Sequence, residues 1–442
     1  MSKIMLNDSK EIFWKYESAL RFLNFKIESF KNNLESMGED VPIADVTSRL
    51  KEFDSLRTKM LGDNLELTVE NMENYMNDIA GIRIVCFFES DLKKIIDCVK
   101  SDEDIKVLKI KDFITTPKDS GYSSYHMIVS VPVRDYLNNE IIDVKAEIQI
   151  RTMAMDLWAS LEHKVRYKSL FKISDARKKD IALASSLTKD LDNELNTMVE
   201  KLGRNGKRNT NYNLAGVNGG DKVIDERVMN PYVNAMNSLL ASLARINNDF
   251  NIYYDENPIE SIKYRLKEED SIINKLIAKC VSVSEENIRD EISDVVGIRI
   301  ICSFFCDVEK VIEKINKASD ICVIKVKDYI TNPKPNGYSS YHMIVSVPVI
   351  ENGEVRCVKA EIQVRTKAMN LWASLEHILC YKKKVTPKIT ENLKIWAKKI
   401  NLLDVKYDMV VREGRSLAQL VYEDNDDDTK CVGSMPKRRV RS

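Results

Sequence analysis

Two aspartates and two glutamates stand in repeated settings that suit them to hold a divalent cation. Asp78 opens the run Asp78-Ile-Ala-Gly-Ile-Arg83, and Asp294 opens the matching Asp294-Val-Val-Gly-Ile-Arg299. Glu147 opens Glu147-Ile-Gln-Ile-Arg151-Thr, and Glu361 opens Glu361-Ile-Gln-Val-Arg365-Thr. Carboxylates on neighbouring strands are the oxygen ligands Mg²⁺ prefers, with substrate phosphates completing its shell. Strand alternation puts Glu147, Gln149 and Arg151 on one face, opposite Ile148 and Ile150. Taken alone, such a polar row reads more plainly as a solvent-facing strand.

Cations accompany the carboxylates. Arg49, Lys51, Ser55 and Lys59 recur as Arg265, Lys267, Ser271 and Lys275 in what reads as a basic helix, RLKEFDSLRTK against RLKEEDSIINK. Ser55 and Lys59 then share one helical face, where cations can meet phosphate oxygens. A third repeated stretch, Gly-Tyr-Ser-Ser-Tyr-His-Met-Ile-Val-Ser-Val-Pro-Val, ends at Val133 and again at Val349. It supplies a tyrosine and a histidine in each copy, Tyr122 with His126 and Tyr338 with His342. All 4 histidines of the chain lie in matched motifs, two per copy, which excludes the usual multi-histidine metal hydrolase. Walker-type and kinase signatures are missing too.

The elements that must position these groups are themselves duplicated. Arg49, Asp78 and Gly121 each recur 216 residues later, whereas Glu147, Arg151 and His163 recur after 214. The two lost residues fall in a hairpin, where RDYLNNEIID becomes IENGEVRC with an Asn352-Gly353 turn signal. Each copy reads as an N-terminal helix (Ile12 to Leu34, Tyr232 to Phe250), the basic helix, and a strand GIRIVCFF or GIRIICSFF. An amphipathic helix, the strand VLKIKDF or VIKVKDY, the strand YHMIVSVPV, the strand VKAEIQ and a helical tail follow. This predicts an α+β mixed-sheet domain with flanking helices, twice over. The expected domains are 1–202 and 223–422, joined by a flexible Gly- and Asn-rich linker, 203–222, and followed by a disordered charged tail, 423–442.

Composition narrows the setting. The chain has 442 residues, and its 68 basic residues balance 68 acidic ones, so no global field advertises nucleic acid or membrane. No apolar run reaches a membrane span, and the N-terminus lacks a secretory pattern. The 9 cysteines are odd in number and contain no Cys-x-x-Cys pair, which predicts reduced thiols in a cytoplasmic protein.

In order and spacing, the set R-x-K-x-x-x-S-x-x-x-K, D-x-x-G-x-R, K-D-[FY]-I-x-x-P-K, G-Y-x-S-x-H and E-I-Q-[IV]-R-T resembles the synthetase domain of the RelA/SpoT-homologue family. The resemblance is strongest to its small alarmone synthetases, and it covers each half nearly end to end. It implies transfer of the β,γ-pyrophosphate of ATP to the 3′-hydroxyl of GDP or GTP. By that resemblance Arg49 and Arg83 flank the adenine of ATP, with Lys51, Ser55 and Lys59 on its phosphates. Asp78 holds Mg²⁺, Glu147 assists the metal and the attacking hydroxyl, and Tyr122, with Lys118 and His126, takes the acceptor base. The second copy supplies Arg265, Arg299, Lys267, Ser271, Lys275, Asp294, Glu361, Tyr338, Lys334 and His342.

Lys279 adds a cation to the second copy's basic helix, which predicts weaker donor binding in the first. Ser123 and Ser339 stand where relatives often carry Arg or Gln. Two other readings follow, a toxin-like pyrophosphokinase acting on adenine nucleotides or the tRNA 3′ end, and one copy serving as a non-catalytic nucleotide- or RNA-sensing module. RNA and the alarmone itself are candidate regulators. The apolar stripe Leu393, Trp396, Ile400 and Leu403 predicts packing of the two copies as an internal pseudo-dimer, able to dimerise again.

Overall fold

A computed structural model describes residues 13–167, 175–202, 224, 226–254, 257–351, 353–380 and 387–428. The chain divides into two units, residues 1–159 with 185–215 and residues 160–184 with 216–442. The expected linker, 203–222, lies outside the described residues.

The elements of the first copy are α1 (Phe13–Ser36), β1 (Ile43–Leu50), α2 (Phe53–Gly62), α3 (Val69–Tyr75), β2 (Ala80–Cys86), α4 (Glu89–Ser101), β3 (Lys106–Asp112), β4 (Tyr125–Asp135), β5 (Glu140–Thr152), α5 (Met153–Tyr167) and α6 (Asp175–Leu202). Its five strands lie in the order β1-β2-β5-β4-β3. Only β2 and β5 run parallel; the other neighbours are antiparallel. Alternation sorts the two faces. Ile82 and Ile84 of β2, Met127, Val129 and Val131 of β4, and Ala146, Ile148 and Ile150 of β5 are buried together with Tyr16, Ala19, Leu20, Leu23 and Ile27 of α1. That spacing on α1 is the apolar stripe of a helix laid on a sheet. The other face keeps the polar row.

The second copy repeats the plan with α7 (Glu226–Tyr253), β6 (Ile259–Leu266), α8 (Glu269–Ala278), α9 (Glu285–Glu291), β7 (Val296–Cys302), α10 (Phe305–Lys317), β8 (Cys322–Asp328), β9 (Tyr341–Glu351), β10 (Glu354–Thr366), α11 (Lys367–Cys380) and α12 (Pro387–Asp428). Its strand order is β6-β7-β10-β9-β8. The α+β mixed sheet expected of each copy is present. The hairpin explains the change in repeat offset. Asp135 pairs with Glu140 across the first tip, whereas Glu351 pairs directly with Glu354 across the second, where Gly353 takes φ +86°.

Three expectations need correction. The stretch read as a basic helix is a strand end followed by a helix: Arg49 closes β1 and Lys51 precedes α2. Strands β1 and β6 escaped notice because each is a sheet edge with little buried surface, so apolar alternation is faint. The acidic run Glu423–Asp428 forms the last turns of α12 rather than part of a disordered tail; 429–442 lie outside the described residues. The stripe Leu393, Trp396, Ile400 and Leu403 is buried on α12, which packs on α10 and α11, so a pseudo-dimer does not follow from the stripe.

Candidate active site

Cross-strand register assembles the site on the polar face. Arg49 pairs with Gly81, and Gly81 with Glu147, in one row; Arg83, Gln149 and His126 form the next. The second unit repeats both rows as Arg265, Gly297, Glu361 and Arg299, Gln363, His342. Gly81 lacks a side chain where Arg49 crosses it, Cγ lying 3.9 Å from the position a Cβ would take.

Asp78 precedes β2 and is clamped by two cations. Lys51 Nζ donates to Oδ2 at 2.7 Å, and Lys59 Nζ from α2 donates to Oδ1 at 2.9 Å. Burial alone would raise the carboxyl, but the two ammonium groups outweigh it and hold Asp78 below the ordinary aspartate range. Asp294 sits identically between Lys267 at 2.9 Å and Lys275 at 2.7 Å, with the same lowering. Arg49 and Lys59 are exposed, and Ser55 is half-buried one helical turn before Lys59.

Glu147 ends two donor chains that both begin at Arg151. Arg151 Nη2 donates to Tyr122 Oη at 2.8 Å, and Tyr122 Oη meets His126 Nε2 at 2.9 Å. His126 Nδ1 meets Glu147 Oε1 at 3.0 Å. The guanidinium can only donate and the carboxylate only accept, so the proton between His126 and Glu147 sits on Nδ1. In the shorter chain Arg151 Nη2 donates to Gln149 Oε1 at 2.7 Å, and Gln149 Nε2 donates to Glu147 Oε2 at 2.7 Å. Burial pushes Glu147 up and the nearby Asp78 charge adds to it, yet His126 and Gln149 bring it below the usual glutamate value. The second unit reproduces both chains through Arg365, Tyr338, His342, Gln363 and Glu361. Thus Asp78 and Glu147 feel each other's charge and both stay ionised at neutral pH. That pair fits a cation bound by one or two carboxylates plus substrate oxygens.

Tyr122 is 9% exposed, and Lys118 Nζ stands 4.8 Å from its ring centroid. The ring edge of Phe113 also meets it. Lys334 covers Tyr338 in the same way at 4.9 Å. Gly121 sets this turn with φ +81°, and Gly337 with φ +90°; a Cβ on Gly121 would collide with Ser185 Oγ of α6, and one on Gly337 with Ala397 Cβ of α12. Lys279 is engaged by Glu291 at 2.7 Å, so it is spent on a surface pair rather than offered to the site.

Sequence reasoning overlooked Asp156 of α5. Its Oδ1 lies 3.4 Å from Arg83 Nη1 and 3.3 Å from Arg151 Nη1, bridging two arginines that otherwise face each other. Only a one-letter difference between the copies, Asp156 against Asn370, signalled that this helical position matters.

The family model described as a region found in RelA/SpoT proteins matches residues 48–171 and 264–386, together more than half of the chain. The chain belongs to the RelA/SpoT family. Two relatives in Bacillus subtilis (strain 168) show where within it the RelA/SpoT repeats fall. The GTP pyrophosphokinase YwaC is 42% identical over 166 residues, 38% of this chain and 78% of YwaC. The GTP pyrophosphokinase YjbM is 33% identical over 181 residues, 41% of this chain and 83% of YjbM. Among solved structures, small alarmone synthetase 1 from Bacillus subtilis bound to its product pppGpp aligns at 32% identity and TM-score 0.40, covering 42% of this chain and 96% of that one. Each relative thus corresponds to about one half of the RelA/SpoT tandem. Among the described residues, no helix is long and apolar enough to cross a membrane.

Proposed function

We propose that each half transfers the β,γ-pyrophosphate of ATP to the 3′-hydroxyl of GDP or GTP, releasing AMP and forming ppGpp or pppGpp. The observation that carries this is the coincidence of two complete, matching charge networks with relatives named GTP pyrophosphokinases. Phosphoryl-group transfer asks a protein mainly for positioning and charge compensation. Lys51, Ser55 and Lys59 face the donor phosphates, with Arg49 and Arg83 on the adenine. Glu147 accepts or orients the hydroxyl proton; His126 and Gln149 keep it ionised and fix its two oxygens. Tyr122 and Lys118 take the acceptor base, and Lys118 leaves the ring when the base arrives. Asp78 and Glu147 would hold Mg²⁺, which when bound neutralises charge on the transferring group.

The odd number of cysteines and the missing Cys-x-x-Cys pair support a cytoplasmic setting for the reaction. The test is product identification with the purified full chain, labelled ATP and, separately, GDP, GTP, ADP or tRNA. Label in a guanosine tetra- or pentaphosphate, with AMP released, is the expected result. Label appearing only from ADP or tRNA refutes the proposal in favour of a toxin-like activity.

A further inference from the structure

The two sites are geometric twins but not electrostatic ones. In the first unit the buried Arg151 and its neighbour Arg83 share the carboxylate of Asp156, whose side chain is 13% exposed. In the second unit the same position is Asn370, a neutral amide. Asn370 Oδ1 is buried and lacks a hydrogen-bond partner among the described residues, whereas the Nε of both Arg83 and Arg299 is unpartnered and so is common to the two units. Among the described residues, no carboxylate bridges Arg299 and Arg365. Burial first, then the charges of Arg365 and Arg265, pull Arg299 down to about 10. Burial lowers Arg151 and Arg365 as well, so the contrast between the units rests on the carboxylate present at 156 and absent at 370.

Two further differences have the same sign. The register neighbour of Arg83 is Thr47, whereas that of Arg299 is Lys263. Beside the ring-covering lysines, Asp119 of the first turn becomes Pro335 in the second. Opposing swaps include Arg57 of α2 to Ile273 of α8 and Phe53 to Glu269 at the start of those helices; Arg57 is exposed, whereas Arg151 and Arg365 are buried and Arg83 and Arg299 half-buried. The buried difference weighs more, because solvent screens it least.

We propose that the residue at position 156 or 370 makes the sites unequal, the second half being the higher-affinity site because a polyphosphate nucleotide supplies the negative charge that Asn370 omits. Asp156 and Asn370 are positioning residues acting through the arginines, and the inference rests on both halves being nucleotide sites as proposed above. The chain then holds two copies of one activity tuned to different substrate concentrations. One unit charge at ~10 Å, with an effective dielectric near 20, changes affinity roughly tenfold.

The experiment uses the full chain with one half silenced, E361Q to report on the first half and E147Q on the second. KM and kcat for ATP and for GDP are read in each background, with and without D156N or N370D, at low and high salt. The second half is expected to show KM roughly tenfold below the first at low salt, with the gap shrinking as salt rises. D156N should lower KM in the first half, and N370D should raise it in the second, with smaller effects on kcat. Equal KM values in the two halves, or exchanges that shift only the melting temperature, overturn the inference while leaving the proposed activity standing. Absence of transfer in both backgrounds overturns that activity and this inference with it.

Discussion

Asp404 on α12 is 1% exposed; its Oδ2 accepts from Thr366 Oγ1 at 2.5 Å, while Oδ1 lacks a partner among the described residues. Burial pushes this carboxyl up to about 8, the Thr366 hydrogen bond opposing and the Asp408 charge assisting. The unfolded value is near 4, so between about pH 4 and 8 the folded state keeps a proton that the unfolded chain has lost. Stability should therefore fall as pH rises through that window and level off above it. At about 1.4 kcal/mol per pKa unit the ceiling is roughly 6 kcal/mol, and relaxation with water entry brings it to about 2–3 kcal/mol. Asp404→Asn removes the ionisation while keeping the side chain's size. In calorimetric melts, the variant should gain on the parent by about 5 °C or more between pH 5 and pH 8.5. Parallel curves for variant and parent would show that the carboxyl is hydrated, and the reasoning would fail.

The matching Asp192, pushed up to about 7 by burial with Thr152 opposing, should give a smaller effect of the same sign, read as a shift in the first unit's melt for D192N. At saturating substrate, replacing Glu147 by Gln should cut pyrophosphate transfer by about half, and replacing Glu361 as well should cost a further 10²-fold or more; a double variant with near-normal turnover in the product assay refutes the assigned sites. Gly337→Ala should destabilise by about 1–3 kcal/mol and raise KM for the acceptor, because the positive φ and the Ala397 contact leave a Cβ no room. Unchanged melting and KM would mean that the turn and α12 yield. Because Glu147 and Asp78 both lie below their usual carboxyl values, activity should not decline on the acid side until below about pH 5, when pH–rate profiles are taken above the unfolding limit.

The charged site was legible in the sequence because duplication marked it: residues kept between two drifting copies, Asp78, Glu147, Lys51 and their partners, proved to be spatial neighbours. Strand alternation alone placed Glu147 and Gln149 opposite Ile148 and Ile150. Other features depend on register between segments far apart in the chain. Nothing local tells that Asp156 reaches Arg83, or that Arg151 donates through Tyr122. The edge strand Ile43–Leu50 was missed for a different reason, since only one of its residues is buried and propensity has little to act on. Lys279 misled because a cation near a motif says nothing of the acid already holding it.

The glycine turns carry a consequence for how the enzyme comes into being. Tyr122 sits in a turn whose ceiling is Ser185, and Tyr338 in one whose ceiling is Ala397. During synthesis neither turn can meet its helix until that helix has left the ribosome. The two sites must then mature in sequence, and at about 5–20 residues per second the roughly 200 intervening residues separate them by about 10–40 s. A nascent chain passes through a stage with one finished site, so a translational pause beyond Ser185 would yield a one-site enzyme before a two-site one.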